Sequence, residues 1–264
     1  MGLKYAVNEK FFDTWTSESA YLVGLLCADG NLIDNPSIRA KYFSLTSIDI
    51  ELVENMRALL ASKHRIYKRL AYGNRKEAYL LRIGSAALFE RLMHIGLTPS
   101  KTQTLVFPDM PRVVLADFVR GYFDGDGCVF LEYSGLRVKR LLTIFTSGCR
   151  TFLERLQSEL IGELGVKPGK LYQHGSSAGA YQLRYSTRDS LRLFLFLYNP
   201  QPDQKLYLKR KYAIFSEYLS LRSLTVAQIP EILNTSGPVA KKKRGGLQTH
   251  YARMRFPSGP PNLC

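Results

Sequence analysis

Cysteine and acid are both scarce in this sequence, and each shortage closes off a class of protein. The four cysteines (Cys27, Cys128, Cys149, Cys264) form no C-x-x-C pair and have no zinc-like spacing. With neither a disulfide framework nor a signal peptide in view, a reducing compartment is expected, either bacterial cytoplasm or an organelle such as a mitochondrion or chloroplast. No apolar run approaches the ~20 residues that cross a bilayer, so no membrane partner is expected. Asp and Glu number 22 against 37 Lys and Arg, a formal net charge of +15. A chain so short of acid is usually held near a polyanion, and nucleic acid is the commonest one. Length and apolar content are ordinary: 264 residues, 45% hydrophobic, suit one large domain or two small ones with real cores.

The chain reads as one unit written twice. Tyr21-Leu22-Val23-Gly24-Leu25-Leu26-Cys27-Ala28-Asp29-Gly30 aligns with Phe118-Val119-Arg120-Gly121-Tyr122-Phe123-Asp124-Gly125-Asp126-Gly127, at an offset of 126 − 29 = 97 residues. Each copy is an apolar stretch with an inner glycine, ending in a small residue and Asp-Gly. Thr46-Ser47 and Thr146-Ser147 follow, then helix-like periodicity at Leu52 to Leu60 and Phe152 to Leu160. Basic, tyrosine-containing strands come next, at Arg65 to Arg69 and Lys170 to His174. Leu81 to Ser85 and Leu183 to Thr187 echo one another, and helices at Ala86 to Ile95 and Asp189 to Tyr198 close the copies. The expected unit is helix, two strands, helix, two strands, helix. Its bounds are 1–100 for the first repeat, 101–111 for a Pro-containing linker and 112–222 for the second repeat. The stretch 223–264, with Lys241-Lys242-Lys243-Arg244 and many Pro and Gly, reads as a disordered basic tail. The basic run is read as a flexible phosphate-binding segment in preference to a nuclear import signal.

The Asp-Gly endings carry the chemistry. Thr16 or Ser17 is placed to cap the first helix, with Glu18 in its first turn, and Pro111 is placed to start the second. Gly30 and Gly127 fit the position just past a helix C-terminus, where a left-handed residue closes the last turn. Asp29 and Asp126 then lie at the negative ends of their helices, unfavourable by ~0.3–1 kcal/mol each. Doing so twice points to a cation shared by carboxylate and carbonyl oxygens, the hard donor set of magnesium or calcium. An EF-hand loop is excluded, because Cys128 stands where a third oxygen ligand is needed. Gly24 and Gly121 each weaken a helix by ~1 kcal/mol relative to Ala. Facing one another, they would let two helices approach closely and deliver both aspartates to one spot. Two such carboxylates, with bridging metal, can clamp a phosphodiester.

These residues resemble a known family. Leu22 to Gly30 and Val119 to Gly127 are similar to the two signature motifs of LAGLIDADG homing endonucleases, in the single-chain, pseudo-symmetric arrangement, over about Ser17 to Leu219. The resemblance implies an α+β fold of two pseudo-symmetric αββαββα repeats joined by a pair of packed helices. Each repeat would carry a four-stranded antiparallel sheet, the two forming a saddle over the DNA major groove. It implies metal ligation by Asp29 and Asp126, with the carbonyls of Ala28 and Gly125 as further ligands. Mg2+ is the implied ion, with Mn2+ able to substitute and Ca2+ able to bind without supporting cleavage. Cys27 departs from the family, whose acid at that place is kept by Asp124. Cys27 and Cys128 read as small buried packing residues. A basic residue near each metal is also implied. Lys101 fits the first repeat, and Lys211 is chosen for the second over Lys205 and Lys209.

Strand alternation gives the DNA-facing candidates Arg39, Lys41, Arg65, Lys68, Arg82, Arg137, Lys139, Lys170, His174 and Arg184. Arginine can reach guanine bidentately, whereas lysine more often meets phosphate. The expected protein is a monomeric, site-specific double-strand DNA endonuclease. An intein is not expected, since no splicing domain flanks the motifs. A splicing maturase bound to host intron RNA and a non-cleaving DNA-binding regulator are the rivals on the same fold; retention of both acids favours the nuclease.

Overall fold

The computed structural model describes residues 5–38, 40–73, 76–99, 103–173 and 179–234. Thr16 caps helix α1 (Ser17–Asp29), its hydroxyl accepting from the Ser19 N–H at 3.1 Å, while the Ser19 hydroxyl accepts from the Thr16 N–H at 2.8 Å. This reciprocal box satisfies donors that the first helical turn leaves open. After α1 come β1 (Gly30–Asn35), β2 (Ala40–Ser47), α2 (Ile50–Leu59), β3 (Ile66–Arg69), β4 (Ala78–Gly84) and α3 (Ala86–Ile95). The second copy is α4 (Leu115–Asp126), β5 (Gly127–Ser134), β6 (Arg137–Ser147), α5 (Arg150–Leu164), β7 (Lys170–Gln173), β8 (Tyr181–Tyr185) and α6 (Thr187–Tyr198). A 3-10 turn over Arg112–Val114 follows Pro111 and leads into α4.

Both sheets are antiparallel and have the same strand order, β1-β2-β4-β3 and β5-β6-β8-β7. In each, the strand that leaves the central helix forms one edge, and the strand that precedes the last helix is interior. The pleat sends Leu32, Phe43, Leu45, Leu81 and Ile83 to one face of the first sheet, and Phe145, Leu183 and Tyr185 to the matching face of the second. Helices α2 and α3 cover the first face, and α5 and α6 the second. One continuous apolar core runs through both copies by way of α1 and α4, whose apolar residues are almost all fully buried. Helices this apolar around their whole girth are stable only with neighbours on every side.

Two expectations are corrected here. Gly30 and Gly127 are not left-handed caps: their backbones are extended, at φ −77° and −92°, and the chain passes from each helix straight into β1 or β5. Glycine is needed for space instead. A Cβ on Gly30 would fall 2.4 Å from the Leu26 carbonyl oxygen, and one on Gly127 would fall 2.4 Å from that of Phe123. The chain beyond 222 is also more than a tail, since a 3-10 turn (Val226–Gln228) leads into helix α8 (Ile229–Asn234), which packs against α6. Ile229 is fully buried, and the Arg188 guanidinium donates to the Leu233 carbonyl. Before it, helix α7 (Lys209–Leu221) adds an element that the repeated unit does not contain. The Lys241 to Arg244 run lies outside the described residues.

Candidate functional site between two helix ends

Gly24 and Gly121 set the distance between α1 and α4. A Cβ on Gly24 would lie 2.0 Å from the Phe118 carbonyl oxygen and 2.8 Å from the Tyr122 nitrogen. A Cβ on Gly121 would lie 1.9 Å from the Tyr21 carbonyl oxygen and 3.0 Å from the Leu25 nitrogen. The two contacts mirror one another, so the helices meet backbone to backbone through their glycines. No larger residue fits at either place.

The same seam aligns the helix ends. A Cβ on Gly125 would fall 2.3 Å from the Ala28 Cβ and 3.4 Å from Asp29 Oδ2. The Asp29 carboxylate therefore lies against the backbone of the opposite helix, one residue before Asp126. Asp29 and Asp126 are both half-buried. Among the described residues there is no cluster of three or more His, Cys, Asp or Glu side chains. The donors on offer are thus two carboxylates and the last carbonyls of two helices. This all-oxygen set suits a hard cation that keeps several waters. The charge of Asp126 also contributes, after burial, to holding the Tyr122 phenol above its usual pKa.

Lys211 approaches α4 from the first turn of α7. Only 3% exposed, its ammonium donates to the carbonyls of Phe123 (2.6 Å), Asp124 (2.9 Å) and Gly127. These flank Gly125 and Asp126 without including them. Three donors and three backbone acceptors leave this ammonium fully occupied. It neutralises the carbonyl end of α4 where Asp126 adds a further negative charge. Burial lowers the Lys211 pKa, against the opposing pull of Asp124.

Asp124, also buried, accepts at Oδ2 from the Tyr21 hydroxyl of α1 (2.9 Å) and from the Leu208 N–H (2.8 Å). Burial pushes its carboxyl up to about 6, against Lys211, Tyr21 and the Leu208 N–H. Arg120 is buried as well, donating to the carbonyls of Leu206 (2.6 Å) and Leu197 (2.8 Å) and to Asp117. Sequence reasoning missed this seat, although the spacing of Lys211, Phe215, Tyr218 and Leu219, all buried, is helical and marks α7. Cys27 and Cys128 are buried, as packing residues should be. Lys101 lies outside the described residues.

The faces of the sheets away from the helices sort the basic candidates. Arg82 and Tyr42 lie on the open face of the first sheet, as does Tyr67, with Arg65 directed over its ring at 5.9 Å. Arg69 shares that parity and was overlooked, although alternation from Arg65 points to it. Lys41 and Lys68 are corrections: the pleat turns both toward the helix side. Lys41 pairs there with Glu90 of α3 and lies 5.6 Å from the Phe89 ring, and Lys68 pairs with Glu77 at 2.9 Å. On the second sheet Arg184 and Lys170 occupy the open face, opposite one another across β7 and β8. Arg137 is exposed there at the β5–β6 hairpin, and Lys139 falls at a bulge in the β5–β6 register. Arg39 and His174 lie outside the described residues.

Residues 114–197 match the family model of the LAGLIDADG-like domain. No curated protein matches the chain. Several solved structures share its architecture. The meganuclease I-SmaMI, bound to uncleaveable DNA, superposes with a TM-score of 0.52 at 14% identity, covering 80% of this chain and 95% of its own. The homing endonuclease I-WcaI, bound to its DNA recognition sequence, gives 0.52 at 13% identity, covering 77% and 91%. The LAGLIDADG meganuclease I-AabMI, bound to uncleaved DNA, gives 0.50 at 14% identity, covering 82% and 97%. At these identities the likeness is one of fold.

Proposed function

We propose that this chain, whose second repeat is a LAGLIDADG-like domain and whose fold is shared with LAGLIDADG meganucleases, is a monomeric, divalent-metal-dependent, site-specific double-strand DNA endonuclease. The observation that carries the reading is the glycine seam. It brings Asp29 against Gly125, and so places two half-buried carboxylates, 97 positions apart in sequence, at one pair of helix ends.

Asp29 and Asp126, with the carbonyls of Ala28 and Gly125, would hold Mg2+ or Mn2+. Such a cation, when bound, stabilises the attacking and leaving oxygens of an in-line displacement at phosphorus. Lys211 acts through the backbone: by fixing the carbonyls on either side of Gly125 and Asp126, it holds the end of α4 in register. Lys101 is the proposed basic group for the first repeat. The open faces of the two sheets would lie along the duplex, and a net charge of +15 supplies the pull toward phosphate.

The test is incubation of the full chain with the uninterrupted form of its host locus, with and without Mg2+. A double-strand cut that needs the metal is the expected result. Tight binding to intron RNA or to DNA, with no cut under any divalent ion, would move the protein to the maturase or regulator class on the same fold.

A further inference from the structure

Among the described residues, six arginines outside the core are engaged by carboxylates. Arg112, Arg140, Arg150, Arg155, Arg192 and Arg210 all make ion pairs. Arg82 and Arg184 make none. Both stand on the interior strand before the last helix of their repeat, at the centre of an open sheet face. Each guanidinium instead lies over a tyrosine ring: Arg82 over Tyr42 with 4.7 Å to the centroid, Arg184 over Tyr172 with 5.4 Å. The Tyr172 hydroxyl donates to Gln182 Oε1 at 2.9 Å, which fixes the ring. Arg184 Nε is buried with no hydrogen-bond partner among the described residues.

We propose that Arg82 and Arg184 read guanine in the two half-sites of a duplex, each with its fork pre-set by the tyrosine beneath it. The inference rests on the open faces binding DNA, as in the preceding reading. A guanidinium stacked on a ring has its plane fixed but its donors free, so less freedom is lost when an acceptor pair arrives. In the major groove that acceptor pair is O6 and N7 of guanine. Central placement on the sheet favours a base edge over the phosphates, which run along the rim of a groove.

The two stacks are not equivalent. Arg82 leans toward β2, the strand next to the one leaving the α1 end. Arg184 leans toward β7, the far edge strand. Tyr42 lies diagonally from Arg82 toward the C-terminal end of β4, whereas Tyr172 lies diagonally from Arg184 toward the N-terminal end of β8. The two guanines are therefore expected at unequal distances from the helix ends.

The experiment selects binders from a randomised duplex library with the full chain and with the Arg82→Ala, Arg184→Ala and Tyr42→Leu variants. Wild type is expected to enrich guanine at two positions unequally spaced about the centre. Arg82→Ala should lose the preference at one of them and Arg184→Ala at the other, each on the order of tenfold. Tyr42→Leu should weaken the Arg82 preference alone and leave the salt dependence of binding unchanged. Lys41→Ala, on the helix-covered face, serves as the control that moves neither position. Affinity lost equally for all sequences, with a shallower salt slope, would identify phosphate contacts and overturn the proposal. Guanine preferences unmoved by either alanine variant would overturn it alone. A protein that enriches no duplex would overturn both this inference and the endonuclease reading.

Discussion

Helices α1 and α4 reach the same geometry by different chemistry. At matching positions α1 carries Tyr21, Val23 and Cys27 where α4 carries Phe118, Arg120 and Asp124. One side of the seam thus holds a polar cross-link, the Tyr21 hydroxyl on Asp124, while Phe118 and Cys27 occupy the mirror positions. Around Asp124 the second repeat adds buried cations, Lys211 on the α4 carbonyls and Arg120 on the carbonyls of Leu197 and Leu206. The glycines, by contrast, are identical in the two helices. The close approach of the backbones has no alternative chemistry, whereas the means of holding each helix end does.

The largest effect should come from removing what the two copies share. Gly121→Ala places a methyl 1.9 Å from a backbone carbonyl that no rotamer can clear. A loss of about 4 kcal/mol or more is expected, read as a collapse of Tm or failure to fold. Gly24→Ala should match it, and a difference between the two would show a seam less symmetric than described.

Next comes the polar side. Asp124→Cys, which copies Cys27 into the second repeat, removes the carboxylate that balances Lys211 and should cost about 3 kcal/mol. Tyr21→Phe, which copies Phe118 into the first, should cost about 1–3 kcal/mol because it leaves Asp124 short of a donor. The double variant should cost less than the sum. Strict additivity in denaturant unfolding would deny the cross-link.

Protonation sharpens the same contrast. Asp124 titrates near 6 in the folded protein against an ordinary 3.8, so between those pH values the folded state holds a proton that the unfolded chain has lost. The contribution of this group to stability therefore falls as pH rises through that window, by on the order of 3 kcal/mol. The stability difference between wild type and Asp124→Asn should accordingly be more favourable to wild type at pH 4 than at pH 7. The smallest effect belongs to Lys41→Ala. It removes a half-exposed pair with Glu90 that solvent screens, and Tm should barely move.

Much of this was legible in the residues. The repeated Asp-Gly endings, the inner glycines and the order of helices and strands follow from local periodicity and from an offset that any reader can count. The seat of Asp124 was not, because Leu208 and Lys211 lie 84 and 87 residues from it in sequence and only folding brings them together. The role of Gly30 and Gly127 was misread because a helix that turns directly into a strand looks, residue by residue, like a helix that ends in a left-handed cap. Lys41 falls on the wrong face because alternation gives two faces and does not say which one the helices cover, whereas Lys68, three residues from Arg65, breaks the alternation itself. Phe43 and Leu45 in β2, and Ile66 in β3, settle that once the core is known.

The claim that Asp29 and Asp126 work at one shared site is tested most directly by following each DNA strand separately in Asp29→Asn and Asp126→Asn. If the site is shared, either substitution alone abolishes cutting of both strands while the protein stays folded and bound to its target. A variant that still nicks one strand at the wild-type rate would show two independent sites and contradict the account.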